Sequence, residues 1–218
     1  MEDLVVEGFY NIMEKGGYLM WPIVACSVIA LGVFIERMVA LRSEKVIPRN
    51  LLDKVRSLVS GGKITDAATL CEGNESPLAA VLAAGLKTSN RPIRIRLEAM
   101  EEAGKQEAAL LERFLGVVGT IAAISPLLGL LGTVTGMIKI FQKVTSSGVG
   151  DPRILAGGIW EALITTAAGL TVAIPAYVAY RYLLSRAEWL ILEMEHAATG
   201  IMQEIKPDKE PKDRENMD

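Results

Sequence analysis

Histidine occurs once in this chain and cysteine twice, and none of the three has neighbours that would give it chemistry. His196 stands among Glu193, Glu195 and alanines, the setting of a solvated helix position. Cys26 lies in an apolar run and Cys71 in a distant polar segment, so neither a disulfide framework nor a metal site is expected. The chain also lacks a phosphate-binding glycine loop, a GxSxG elbow, a CxxC pair and an HExxH. Without a nucleophile and base in company, it is not expected to be an enzyme, and no cofactor is implied. The net charge of −3 gives no reason to expect a nucleic-acid partner.

Charge itself is missing from long stretches. Residues 16–35 and 114–138 carry none, and 154–180 carry only Glu161. Each stretch reaches the roughly 20 residues needed to cross a hydrocarbon core of about 30 Å at 1.5 Å per residue. The fold class this implies is all-α: a polytopic membrane protein with three transmembrane helices, at 16–41, 114–144 and 154–184. No cleavable signal peptide is expected, because the first run follows an acidic leader and is too long for a signal core.

The charges that are present suggest an orientation. Glu2, Asp3, Glu7 and Glu14 precede the first span, whereas Arg37, Arg42, Lys45 and Arg49 follow it. Arg94, Arg96, Lys105 and Arg113 lie before the second span, and Arg181 and Arg186 after the third. Basic residues collect on the cytoplasmic side, so the N-terminus and a short loop at 145–153 are expected outside and the C-terminus inside. Lys139 and Lys143 run against that rule. Tyr18, Trp21 and Trp160 fit an aromatic belt at the outer interface.

Between the first two spans, 42–113 reads as a cytoplasmic helical region broken at Gly61 and Gly62, in the Gly73 to Pro77 turn, and from Ser89 to Pro92. From Pro92, Ile93, Leu97, Met100, Gly104, Ala108 and Leu111 recur at helical spacing, and nothing in the sequence interrupts the helix before the second span. After the third span, 185–205 continues as a cytoplasmic helix with Tyr182, Trp189, Leu192 and Met194 as its apolar residues. The second and third spans are thus expected to extend into the cytoplasm as long helices, their stripes covered by the inner hairpins and by further copies of the chain. Residues 206–218, highly charged with two prolines, are expected to be disordered. An amphipathic segment at 1–15 is expected on the outer membrane face, against lipid.

The second and third spans are unusually rich in small and polar residues. Ser125, Gly129 and Thr133 follow at intervals of four, and Gly132 and Gly136 form a GxxxG pair. Ala162, Thr166, Gly169 and Ala173 make a similar ridge in the third span. Small residues at these intervals let membrane helices approach closely, where packing must supply the attraction. Pro126 and Pro175 each remove a backbone hydrogen bond and mark possible bends. Glu161 lies about 10 Å inside the third span. A carboxylate at that depth is costly unless it meets a partner or a wet cavity, which makes it a functional candidate.

"PLLGLLGTVTGMI" followed by "GGIWEALITTAAGLTVAIPAYVAYRYL" resembles the signature of the ExbB/TolQ/MotA family of ion-driven motor subunits. "WPIVACSVIALGVFIERMVALR" and "RLEAMEEAGKQEAALLERFLGVVGTIAAISPLLG" are similar to the ExbB and TolQ branch. The resemblance implies a homopentamer in the bacterial inner membrane whose second and third spans line a pore holding a dimer of ExbD- or TolR-like single-span partners. Ion flow past a partner aspartate would drive mechanical work in the cell envelope. Thr133 and Thr166 match the family's pore-lining threonines, Glu161 its intramembrane glutamate, and Pro126 and Pro175 its prolines. Glu161 and Thr166 lie roughly 140° apart on a helix, so both cannot face the pore axis squarely. Thr166 is therefore expected at the lumen and Glu161 at its flank, toward the second span of its own or a neighbouring chain. Protons are the first reading for the ion, with sodium left open. A non-conducting membrane scaffold, or a gliding-motility or other specialised motor of the same family, are the alternatives.

Overall fold

The structure is a computed structural model and describes residues 16–147 and 152–205. The segments expected to be amphipathic at 1–15 and disordered at 206–218, and part of the 145–153 loop, lie outside the described residues. Eight helices follow in chain order, and no strand occurs among the described residues. They are α1 (Met20–Ala40), α2 (Ser43–Val46), α3 (Arg49–Ser60), α4 (Ile64–Glu72), α5 (Pro77–Lys87), α6 (Ile93–Leu111), α7 (Leu115–Ser147) and α8 (Pro152–Glu204). Of these, α1, α7 and α8 are long and apolar enough to cross a membrane.

The chain divides into two compact units. The first holds the described part of Met1–Glu36 together with Phe114–Leu183. Its three helices meet at Ala30, Val118, Ile121, Ala122 and Ala176, with Cys26, Val33 and Tyr180 packed around them. Small side chains dominate this centre, as lipid-embedded helices require for close approach. The large apolar residues point away from it: Val28, Leu31, Leu127, Leu163 and Ile174 are all exposed.

The second unit holds Arg37–Arg113 and the chain from Leu184 onward. The expected breaks are present, and each has a local cause. After α3, Gly62 adopts φ +76°, a conformation glycine takes without strain. At α5, the Ser76 hydroxyl accepts the Ala79 N–H and Pro77 occupies the first turn, where its missing N–H costs nothing. Val55, Val59, Leu78, Leu82 and Leu86 then fill the interior of the hairpins.

Three expectations change. Helix α6 does not run on into the second span: it ends at Leu111, and Phe114 takes φ +67° before α7 begins. That break is held by Arg37, whose buried guanidinium donates from Nη1 to the carbonyls of Leu110 and Leu111 at 3.3 and 3.4 Å. A cation here satisfies orphan carbonyls and complements the negative end of the helix. The buried stripe of α6 is Arg96, Met100, Gly104 and Leu111, whereas Ile93 and Leu97 are exposed. On α8, the inward residues are Ala187, Leu190, Met194, Ala198 and Ile201, and Tyr182, Trp189 and Leu192 face outward. The third span does extend without interruption through the whole of α8.

Candidate functional site

The seam between α7 and α8 is built almost entirely from residues without bulk. Ser125, Gly129, Gly132 and Gly136 are buried along α7, and Ala162, Thr165, Gly169 and Ala173 along α8. A Cβ on Gly169 would stand 2.5 Å from the Ser125 carbonyl oxygen and 3.1 Å from Gly129 Cα. One on Gly129 would stand 3.0 Å from Thr166 Cα, and one on Gly136 would stand 3.0 Å from Ala162 Cβ. One on Gly132 would collide with the Thr165 side chain. Gly129 and Gly169 are therefore required by contact between two backbones, and Gly132 and Gly136 by the side chains of Thr165 and Ala162.

Hydroxyls secure the seam. Thr166 donates from Oγ1 to the Gly129 carbonyl at 2.9 Å, a bond from one helix to the other. Ser125 and Thr133 donate to their own helix, at Ile121 O (2.8 Å) and Leu130 O (2.6 Å). Of the three, Ser125 is fully buried, while Thr133 and Thr166 are half-buried.

At the end of the seam nearer residues 147 and 152, a charged cluster replaces the glycines. Glu161 Oε1 accepts a hydrogen bond from Lys139 Nζ at 2.9 Å, so the carboxylate reaches the second span of its own chain. The Lys139 ammonium also stands 5.6 Å from the centre of the Tyr18 ring. Thr165, one turn beyond Glu161, lies within 2.9 Å of the Gly16 carbonyl and 2.8 Å of the Glu161 carbonyl through its single hydroxyl. Gly17 has φ +70°, and a Cβ there would stand 2.5 Å from Glu161 Oε1. The segment at 16–18 thus lies directly against the carboxylate, strapped to α8 through Thr165.

Among the residues expected to act, Glu161 is joined to Lys139, Thr166 is joined to Gly129, and Thr133 stands apart with its hydroxyl turned back on its own turn. Pro126 and Pro175 sit inside α7 and α8, and both helices continue through them. Sequence reasoning missed Thr165, the most deeply placed of these threonines at 1% exposed, and Lys139 as the partner of Glu161. The 4-3-4 spacing of Gly158, Ala162, Thr165 and Gly169 was the available signal for the first. The second is a contact across 22 residues that no local pattern marks. No group of three or more histidine, cysteine, aspartate or glutamate side chains placed to hold a metal ion occurs among the described residues. An apolar groove of about 660 Å³ opens between α1 and α8, lined by Met20, Ile23, Val28, Trp160 and Ile164, with Ser27 and Thr171 as minor polar breaks.

Comparison with known proteins gives a consistent pattern. A profile of the MotA/TolQ/ExbB proton channel family matches residues 73–196. An ExbB-like biopolymer transport protein (ExbB-like 1) of Synechocystis sp. is 38% identical over 181 residues, covering 78% of this chain and 68% of the relative. The biopolymer transport protein exbB1 of Vibrio cholerae is 28% identical over 208 residues, covering 88% and 86% of the two chains. The Tol-Pal system protein TolQ of Haemophilus influenzae is 39% identical over 94 residues, 43% of this chain and 41% of that one. The region matched to the family contains Thr133, Glu161, Thr166 and the whole glycine seam.

Proposed function

Since the chain belongs to the MotA/TolQ/ExbB proton channel family, we propose that it is the ring-forming subunit of an inner-membrane motor that couples proton flow to mechanical work in the cell envelope. The observation that carries this reading is a carboxylate, Glu161, inside a helix long and apolar enough to cross a membrane, on a pair of helices whose approach is set by glycine and hydroxyl contacts. A charge there is costly in lipid; the Lys139 ammonium offsets part of that cost, and a charge kept at such a depth points to an ion path.

In this reading the helices α7 and α8 of several copies, five by family resemblance, surround the single spans of an ExbD- or TolR-like partner dimer. Thr133 and Thr166 line the path. Thr166 keeps its lone pairs available while its hydrogen ties the two helices together, and Thr133 offers a hydroxyl on the exposed side of α7. Glu161 stands at the flank near the outer mouth. Neighbouring copies and lipid cover the exposed apolar faces of the first unit, including the groove beside Trp160. The N-terminus lies outside and the second unit in the cytoplasm, as the basic residues there favour.

The test is made on the complex reconstituted with its partner in proteoliposomes. Thr133→Ala and Glu161→Ala are expected to reduce gradient-driven proton flux by at least tenfold while leaving insertion and assembly unchanged. Flux equal to the unaltered protein in both variants would remove the site assignment. Absence of any flux in the unaltered complex, with assembly intact, would favour a scaffold.

A further inference from the structure

We infer that Lys139 fills a cation place at the Glu161 carboxylate that sodium would otherwise take: its ammonium occupies that place and keeps sodium out. The inference deepens the motor reading and rests on it in taking Glu161 as a carboxylate of the ion path.

The surroundings of Glu161 are rich in oxygen. The Gly16 and Glu161 main-chain carbonyls meet at the Thr165 hydroxyl, and Gly17 brings the same segment against Glu161 Oε1. Carboxylate, carbonyl and hydroxyl oxygens are the donors that hard cations select, and helices interrupted by irregular backbone supply such sites in membrane transporters. The segment at 16–18 supplies that irregular backbone here.

One cation is already present. Lys139 Nζ lies 2.9 Å from Glu161 Oε1, the separation of a charge-assisted hydrogen bond. The face of Tyr18 stands 5.6 Å from the same ammonium and favours its charge. On another side, Gly17 approaches so closely that a methyl group would meet Oε1 at 2.5 Å. A sodium ion entering this place would have to displace the ammonium or stand beside it, where two like charges repel. The tethered ammonium therefore keeps sodium from this place.

The experiment uses the full chain purified in detergent, with thermal unfolding followed in sodium chloride and in choline chloride at equal ionic strength. The unaltered protein is expected to have the same Tm in both salts. Lys139→Gln, with Lys139→Asn as a second neutral variant, is expected to gain a sodium-dependent rise in Tm of about 2–4 °C. The rise should vanish in the Lys139→Gln, Glu161→Gln double variant. A variant that folds only in sodium chloride supports the inference in stronger form. Sodium-dependent stabilisation of the unaltered chain overturns it, as does a folded neutral variant indifferent to sodium. A pair of neutral variants that fold in neither salt also overturns it, since sodium would then be unable to replace the ammonium. No partner or gradient enters this measurement. A sodium response in Lys139→Gln alongside a complex that conducts nothing would thus preserve the cation place and defeat the motor reading.

Discussion

Among single residues, Gly132 and Thr165 show how little room the seam allows. Thr165 cannot swing away from an added side chain at Gly132, because its hydroxyl is engaged with Gly16 and Glu161. Gly132→Ala is expected to destabilise the first unit by about 1–3 kcal/mol, the usual range for overpacking a filled interface. Adding Thr165→Ser removes the Cγ2 methyl that meets the new Cβ and should restore part of the loss. Thermal unfolding of the single and double variants in detergent measures both steps. Equal stability of Gly132→Ala and the unaltered chain would mean the seam is looser than its contacts indicate. Much of this seam was legible in the sequence: Gly129, Gly132, Gly136 and Gly169 all face it, since a small-residue pattern reports a backbone contact directly. The identity of its buried threonine was not. Thr165 and Thr166 are adjacent, and the choice between them depends on roughly 100° of helix phase.

The same matter of phase governs whole elements. The inward face of α8 beyond the third span is Ala187, Leu190, Met194, Ala198 and Ile201, which contains two alanines and no aromatic residue. Sequence reading took Tyr182, Trp189, Leu192 and Met194 as the apolar residues; Met194 is buried, and the other three point outward. Side-chain size does not decide the face: Leu190, Met194 and Ile201 are as buried as Ala187 and Ala198, and helix phase sets which residues turn inward. The break between α6 and α7 escaped notice for another reason: its sequence, Glu112, Arg113 and Phe114, contains neither glycine nor proline. The stop is imposed from a distance by Arg37. Arg37→Ala is expected to cost about 1.5–3 kcal/mol through loss of charged hydrogen bonds to buried carbonyls. Arg37→Lys keeps the charge on a shorter side chain and should recover only part. Hydrogen exchange across the last turn of α6 reads the effect, and unchanged protection in Arg37→Ala would show that the carbonyls find other donors.

For the whole molecule, the division into two units means that stability is not one number. Cys71, buried in the second unit, offers a probe of that unit alone. Burial raises its thiol from the ordinary 9.0 to about 11. The folded state thus holds this proton more tightly than the unfolded chain does. The associated stability is complete below pH 9 and is lost as pH rises toward 11. At pH 8 the thiolate fraction in the folded protein is about 100-fold below that of an unfolded chain. Alkylation of Cys71 is expected to be slow at pH 8 and to accelerate in urea as the second unit opens, with Cys71→Ser as the control for Cys26. Rapid alkylation in the absence of denaturant would show that the hairpins open readily.

Within the first unit, α8 runs unbroken from Pro152 to Leu183, a length of about 48 Å at 1.5 Å per residue. A rod fixes a ratio between motion at its two ends. A tilt of about 5° displaces one end of that length against the other by roughly 4 Å. Every turn is bonded to the next except where Pro175 omits a donor. Thr166, which ties α8 to Gly129, and Ala176, where the three helices meet, therefore lie on one shaft with that missing bond between them.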